Sequence, residues 1–354
     1  MNGWPAATVE SALGKPHNNF GLLRLLLALA VVVSHAFSVT TGIVDDEPLA
    51  RLTGFTLGEH AVNGFFAISG FLVTMSYDRR GLQDYVIART LRIAPGLIVA
   101  VLVVALVMGT ALTRLSASAY LAEPGLWRFI TATLTTFKSA APLPGVFADN
   151  PLRFPMGTVW TLKYETLCYL GVIGFGLAGL MKARGLALGI AVALTIAVLV
   201  REIIAPNGAK GVETALRLPL IFLVGGLIYL WREKVPLSLA GLALGLAATA
   251  LLIATPLYKP MLYLVTGWAS IVLALAPGLT HRPTEPRADL SYGVYLYGWP
   301  VQQALVALWP LAGAWLLLVP ALALTAIVAA LSWYLVEKPA LGLKRRLIAA
   351  SPLP

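Results

Sequence analysis

The chain has 354 residues, of which 58% are hydrophobic and 12% charged, with a mean hydropathy of +0.82 and a formal net charge of +10. A soluble globular chain carries about 25% charged residues, so this composition excludes a water-soluble fold and points to an all-α, polytopic integral membrane protein. The positive charge is read as topology rather than nucleic-acid binding, and a single cysteine, Cys168, excludes an internal disulfide framework.

The first 17 residues are polar, contain Pro5 and Pro16, and are unlike a cleavable signal peptide. Apolar runs able to cross a ~30 Å hydrocarbon core then fall near 19–41, 61–78, 95–112, 158–181, 185–204, 212–231, 235–254, 259–276, 290–310 and 313–336. They predict about ten transmembrane helices, with 61–78 and 259–276 short enough to be partly re-entrant. The segment 113–157 is the one long loop, with Pro124, Pro142, Pro144, Pro151, Pro155, Trp127 and Phe137. With the N-terminus in the cytoplasm, the inside segments hold 16 of the 26 Lys and Arg residues, as the positive-inside rule requires. An even number of spans returns the basic tail, 337–354, to the same side. No internal repeat is visible. The expectation is one integral membrane domain over 1–354, with 113–157 external, both termini cytoplasmic and no appended soluble domain.

The first span, NNFGLLRLLLALAVVVSHAFSVTT, holds Arg24 near its start and His35 deep inside, eleven residues apart. That is close to three helical turns, so one face carries both, with a rise of roughly 16 Å between them. An ionisable side chain inside a membrane helix is a functional candidate by default. Arg24 would meet phosphates as a charged donor, and a neutral His35 imidazole would act as general base. The plain alternative is a snorkelling arginine and a histidine bonded to a neighbouring helix.

Further along, MSYDRRGLQDYVIARTLRIAPG places Arg89 and Arg92 on one face, and Pro95 is expected to start the third span. Two guanidinium forks suit a diphosphate or nucleotide phosphate; positive-inside charge or anionic-lipid contact is the alternative. The fourth span carries WTLKYETLCYL. Glu165 lies roughly two turns in from the outer surface, an estimated depth that His35 shares. A carboxylate beside a histidine orients the ring and stabilises its protonated form; an interfacial pair with Lys163 or an arginine is the alternative.

The ninth span opens DLSYGVYLYGWPVQQ, where Tyr292, Tyr295 and Trp299 fall on one helical face. Such a stripe suits a pantetheine arm or a sugar ring, or else an aromatic belt. Gln302 and Gln303 suit function or helix–helix bonding. Glu337-Lys338-Pro339 reads as the end of the last helix, stopped by Pro339, with Glu337 pairing a nearby arginine. No His/Cys/Asp/Glu cluster has metal-ligand spacing.

These segments together resemble the membrane acyltransferase-3 family, the bacterial O-acyltransferases of surface carbohydrates. The family's Arg-x10-His pattern matches Arg24 and His35, and its FFxxSGF stretch is similar to Phe65–Phe71. Its Arg-x-x-Arg-Ile-x-Pro pattern matches Arg89, Arg92, Ile93 and Pro95. Its Trp-Ser-Leu-x-x-Glu pattern resembles Trp160, Thr161, Leu162 and Glu165, and its Ser-Tyr-x-x-Tyr-Leu-x-x-Trp-Pro pattern resembles Ser291, Tyr292, Tyr295, Leu296, Trp299 and Pro300. The final Glu-Lys-Pro is similar too. Two departures stand out: members often have a second Glu where this chain has Thr166, and His where it has Gly298. Many relatives also carry a C-terminal hydrolase-like domain, so this sequence resembles the stand-alone form.

The resemblance implies transfer of an acyl group, acetyl first, from cytoplasmic acyl-CoA to a hydroxyl of a cell-surface or lipid-linked carbohydrate. The setting it implies is the bacterial inner membrane, with membrane lipids, acetyl-CoA or another acyl-CoA, and a carbohydrate as partners and no metal. On that reading Arg24, Arg89, Arg92, Tyr292 and Tyr295 hold the acyl-CoA, Trp160, Trp299 and Gln302 meet the acceptor, and His35 and Glu165 do the acid–base work. An acyl-His35 intermediate is left open. The rival classes are a transporter or exporter using Arg24, His35 and Glu165 as an ionisable relay, which predicts inverted repeats and broken helices, and a lipid or receptor module without chemistry.

Overall fold

The structure is a computed structural model that describes residues 7–206, 208–280 and 284–350, with side chains to 348. Among these residues there is no named strand. The main helices are α1 (Phe20–Thr41), α2 (Leu57–Leu102), α3 (Pro124–Thr136), α4 (Trp160–Leu177), α5 (Arg184–Ile204), α6 (Lys210–Leu230), α7 (Leu239–Leu251), α8 (Tyr258–Leu275), α9 (Ser291–Leu308) and α10 (Ala314–Ser332). By length and composition, six helical stretches among the described residues can cross a membrane: Phe20–Thr41, Leu57–Leu112, Arg184–Ile204, Lys210–Leu230, Tyr258–Leu275 and Ala314–Ile348. The protein is therefore an all-α, multi-pass membrane protein. Helices α4 and α9 have the length, 18 residues each, but α4 carries Lys163 and Glu165 and α9 its Tyr-Trp-Gln face, which lowers their apolarity.

Two expected spans lie in one continuous helical stretch. α2 covers 46 residues as two helices joined across a kink. A capping box fixes its start: the Glu59 amide donates to Thr56 Oγ1 at 3.0 Å and the Thr56 amide to Glu59 Oε2 at 2.8 Å. Pro95 does not open a helix; it sits inside α2. The break comes at Gly81, with φ 76° and ψ −179°, a conformation that glycine adopts without a Cβ penalty. Pro95 deprives the Leu91 carbonyl of its helical donor, and nearby the Tyr292 hydroxyl donates to the Ile93 carbonyl at 2.9 Å.

Other boundaries differ in a similar way. The span read at 235–254 is occupied by α7, only 13 residues and about 20 Å long. It starts after Pro236, where Ser238 Oγ caps the Gly241 amide at 2.9 Å. Pro339 does not end the last helix. A π-helical turn, Trp333–Glu337, leads directly into Lys338–Gly342, which contains Pro339. The 113–157 segment is folded too: it contains α3, whose Leu126, Phe129, Ile130 and Thr133 are buried.

Packing divides the chain into two compact units. Unit 1 comprises Met1–Arg24, Val62–Tyr85 and Tyr164–Arg287; unit 2 comprises Leu25–Ala61, Val86–Lys163 and Ala288–Pro354. In unit 1, α6 packs on α5 and α8, and α7 on α8. The Gly70 of the FFAISGF stretch is needed for a backbone crossing: a Cβ there would collide with the Phe222 carbonyl of α6, and one on Gly225 with the Ala67 carbonyl of α2. Small residues let membrane helices approach this closely. In unit 2, α9 packs on α10, with Gly293 so close that a Cβ would lie 2.9 Å from Ala329 Cα. Leu97, Val101, Phe129, Phe147, Met156 and Leu296 are among its core side chains.

Candidate acyl-transfer site

In unit 2, α1 and α9 meet through two pairs of side chains. Gln302 Nε2 donates to the Val32 carbonyl at 2.7 Å. One turn along each helix, the His35 ring meets the Trp299 indole edge-on, with centroids 4.9 Å apart at 83°. Trp299 is fixed from its other side. Its Nε1 donates to the Phe154 carbonyl at 2.8 Å, and the Phe154 ring stacks on it at 5.1 Å. The indole lies flat against Gly157, where any Cβ would overlap the ring.

Two atoms on this interface keep unused bonding capacity. His35 Nδ1 and Gln302 Oε1 are shielded from solvent and have no hydrogen-bond partner among the described residues. Buried polar atoms are nearly always bonded, and exceptions cluster at functional places. Position 298 also faces α1: a Cβ on Gly298 would lie 2.6 Å from Val32 Cγ2. A larger side chain there would have to displace Val32.

The rest of the α9 face is bonded to the protein itself. The Tyr295 hydroxyl donates to the Thr158 carbonyl at 3.0 Å and lies 2.5 Å from Thr161 Oγ1. Gln303 Nε2 donates to the Leu152 and Phe154 carbonyls at 2.9 and 3.2 Å, and Asn150 Nδ2 donates to Gln303 Oε1 at 2.7 Å. The Tyr292 hydroxyl is taken by Ile93, as described, and its ring lies 5.6 Å from the Arg92 guanidinium. Arg92 is itself held by carboxylates, 2.9 Å from Asp289 and 3.9 Å from Glu337. Glu337 accepts from Ser332 Oγ at 2.9 Å. Arg89 is half-buried one turn before Arg92, and half-buried Trp160 opens α4.

Arg24 and Glu165 belong to unit 1. Arg24 is half-buried on α1, one helix with His35. Glu165 accepts from Ser69 Oγ at 3.3 Å and from the Tyr169 hydroxyl, so neutral hydroxyls rather than Lys163 face it. Ser69 is the serine of FFAISGF, which ties two sequence motifs together inside one unit. The sequence reading missed a buried ionic cluster in this unit. Arg217, 1% exposed, pairs with Glu213 at 3.0 Å and donates to Asn63 Oδ1 at 3.0 Å, while the Tyr263 hydroxyl donates to Glu213. The Glu213–Arg217 spacing of four on a helix is a pattern that could have flagged it.

The profile of the acyltransferase-3 family, described as an acyltransferase domain, matches residues 17–337. The chain belongs to the acyltransferase-3 family. The match starts just before α1 and closes on Glu337, the carboxylate beside Arg92. As an acyltransferase-3 protein the chain is an enzyme, a membrane acyltransferase. Nodulation protein 10 of Rhizobium leguminosarum bv. viciae is 31% identical over 363 residues, covering 94% of this chain and 95% of that one. An O-acetyl transferase of Shigella phage Sf6 is 25% identical over 337 residues, covering 91% of this chain and 95% of that one. No solved structure matches this acyltransferase-3 chain.

Proposed function

We propose that this acyltransferase is an O-acetyltransferase of the bacterial inner membrane, with both termini cytoplasmic. It moves an acetyl group from acetyl-CoA to a hydroxyl of a cell-surface or lipid-linked carbohydrate. The observation that carries the reading is His35 Nδ1, shielded from solvent and without a hydrogen-bond partner among the described residues, beside a fixed indole. The name of the phage Sf6 relative supports acetyl as the group transferred.

In this mechanism the acceptor hydroxyl gives its proton to His35 as its oxygen attacks the thioester carbonyl. The C–O bond forms, the C–S bond breaks, and the CoA thiolate leaves and takes up a proton. Trp299 holds the ring plane of His35, and Gln302 Oε1 offers an acceptor to a neighbouring hydroxyl of the carbohydrate. Arg24 and Arg89 are assigned to the CoA phosphates, because charge-assisted bonds to phosphate are the strong ones. Arg92 is already neutralised by Asp289 and Glu337 and serves to position the Arg89 turn. Glu165 is assigned the supporting carboxylate on its place in the Trp160-Thr161-Leu162-x-x-Glu165 pattern.

Acetyl-CoA binding to the purified protein in nanodiscs tests the donor. Arg89→Ala should weaken binding by about 1.5–3 kcal/mol, the worth of a hydrogen bond to a charged group, as read by calorimetry. CoA should be released when the wild type is incubated with radiolabelled acetyl-CoA and acceptor glycan. No acetyl-CoA binding by folded wild type overturns the donor assignment; binding unchanged by Arg89→Ala overturns the residue assignment alone.

A further inference from the structure

Unit 1 contains a cavity that acyl transfer, as proposed above, does not use. It has a volume of about 290 Å³ and lies between the C-terminal half of α4, the N-terminal half of α5 and the C-terminal half of α6. Cys168, Gly171, Phe175, Ile190, Leu223 and Leu230 are among its lining residues. No charged side chain lines it, and Thr74 and Cys168 supply its polar side-chain atoms among the described residues. A sugar or phosphate would lose its hydration there without compensation, whereas a hydrocarbon chain would lose nothing. The cavity also faces outward. Leu167 and Ile190 are 55% and 39% exposed, a surface suited to lipid tails.

The end of the cavity marked by Met181 and Leu230 abuts a cationic rim. Lys182 and Arg184 follow Met181 in the chain, and Trp231, Arg232 and Lys234 follow Leu230. The Trp231 ring is flanked by Arg184 at 5.7 Å and Lys234 at 5.1 Å. Glu233 pairs with Arg184, and Glu10 pairs with Arg232 at 3.6 Å. Four basic side chains thus face two carboxylates, and the rim stays positive. An apolar slot ending at a positive, tryptophan-bearing rim has the two-part chemistry of a lipid with an anionic headgroup.

We propose that this cavity binds one alkyl chain of an anionic glycerophospholipid, with Lys182 and Lys234 holding its phosphate. The site stands apart from the acyl-donor reading and does not depend on it. Its occupant would lie against α4 one turn from Glu165, so a bound lipid would stiffen the helix that carries that carboxylate.

Native mass spectrometry of the full chain, titrated with phosphatidylglycerol or phosphatidylcholine of identical tails, tests it. One phosphatidylglycerol per chain should survive delipidation. Lys182→Ala and Lys234→Ala should each weaken its retention about five-fold and leave phosphatidylcholine unchanged. Gly171→Trp should abolish retention of both lipids, since a Cβ at Gly171 meets nothing within 4 Å and the indole can occupy the slot. A second measurement needs no variant: phosphatidylglycerol should slow alkylation of Cys168 by N-ethylmaleimide in the wild type. Equal retention of the two lipids by the wild type, retention undiminished in Gly171→Trp, or Cys168 alkylation indifferent to phosphatidylglycerol would each overturn the proposal.

Discussion

Within unit 2, the aromatic face of α9 and the His35 position of α1 handle their polar atoms in opposite ways. On α9, Tyr292, Tyr295, Trp299 and Gln303 each give a donor to a backbone carbonyl. On α1, His35 keeps Nδ1 buried and without a partner among the described residues, and Gln302, which reaches across to α1, uses its amide nitrogen but not its oxygen. A buried polar group left unbonded costs about 1–3 kcal/mol. The difference teaches that a polar residue in an apolar helix is identified by its unused bonding capacity, not by its type. The aromatic stripe of α9 looks like a binding face in sequence, yet its donors hold helices and a loop together. The lone histidine of α1 keeps a ring nitrogen without a partner among the described residues.

Replacing the histidine should separate the two behaviours most widely. His35→Ala should lower transfer by about 10²–10⁴-fold, the usual worth of a general base, with no loss of thermal stability. A variant that unfolds early, or one that still transfers acetyl at the wild-type rate, would put His35 with the packing residues. Arg92→Ala should act on stability instead. It removes the guanidinium from Asp289 and from Glu337, 2% exposed, and breaking a buried pair from one side costs about 3 kcal/mol, measurable by detergent–denaturant titration. If stability holds and only acetyl-CoA binding falls, Arg92 belongs to the ligand and not to the latch. The smallest change should come from Tyr295→Phe, about 2 kcal/mol of stability for the neutral hydrogen bonds of its hydroxyl to Thr158 and Thr161, with the transfer rate intact. A tenfold rate loss at unchanged stability would show that the α9 stripe touches substrate.

Helix positions were legible because apolar runs carry them directly. Helix breaks were less so. Pro95 reads as a start but lies within α2, since the ability of neighbours to satisfy the surrounding backbone is a tertiary matter. Gly81 reads as unremarkable, although it supplies the positive φ that interrupts the helix. Among the site residues, the meeting of His35 with Trp299 and of Glu165 with Ser69 joins motifs that the sequence shows only as separate patterns. The partners of α9 could not be read at all. They are carbonyls of Phe154, Thr158 and Leu152, and every residue carries a carbonyl whatever its side chain. The Glu213–Arg217 pair had a readable spacing, but its burial against Asn63 and Tyr263 did not.

The clamp between the end of the 113–157 segment and α9 has a consequence for how the protein is made. Asn150 bonds to Gln303 across 153 residues of chain, and Trp299 and Gln303 saturate carbonyls of Leu152 and Phe154. While the ribosome is still working through α4 to α8, those carbonyls and the Asn150 amide have no protein partner and must stay hydrated. The stretch 150–158 is therefore the last part of this segment to settle, waiting for a helix synthesised near the end of the chain. A nascent chain stalled before residue 299 would hold α1 in place but leave the indole that positions His35 unmade.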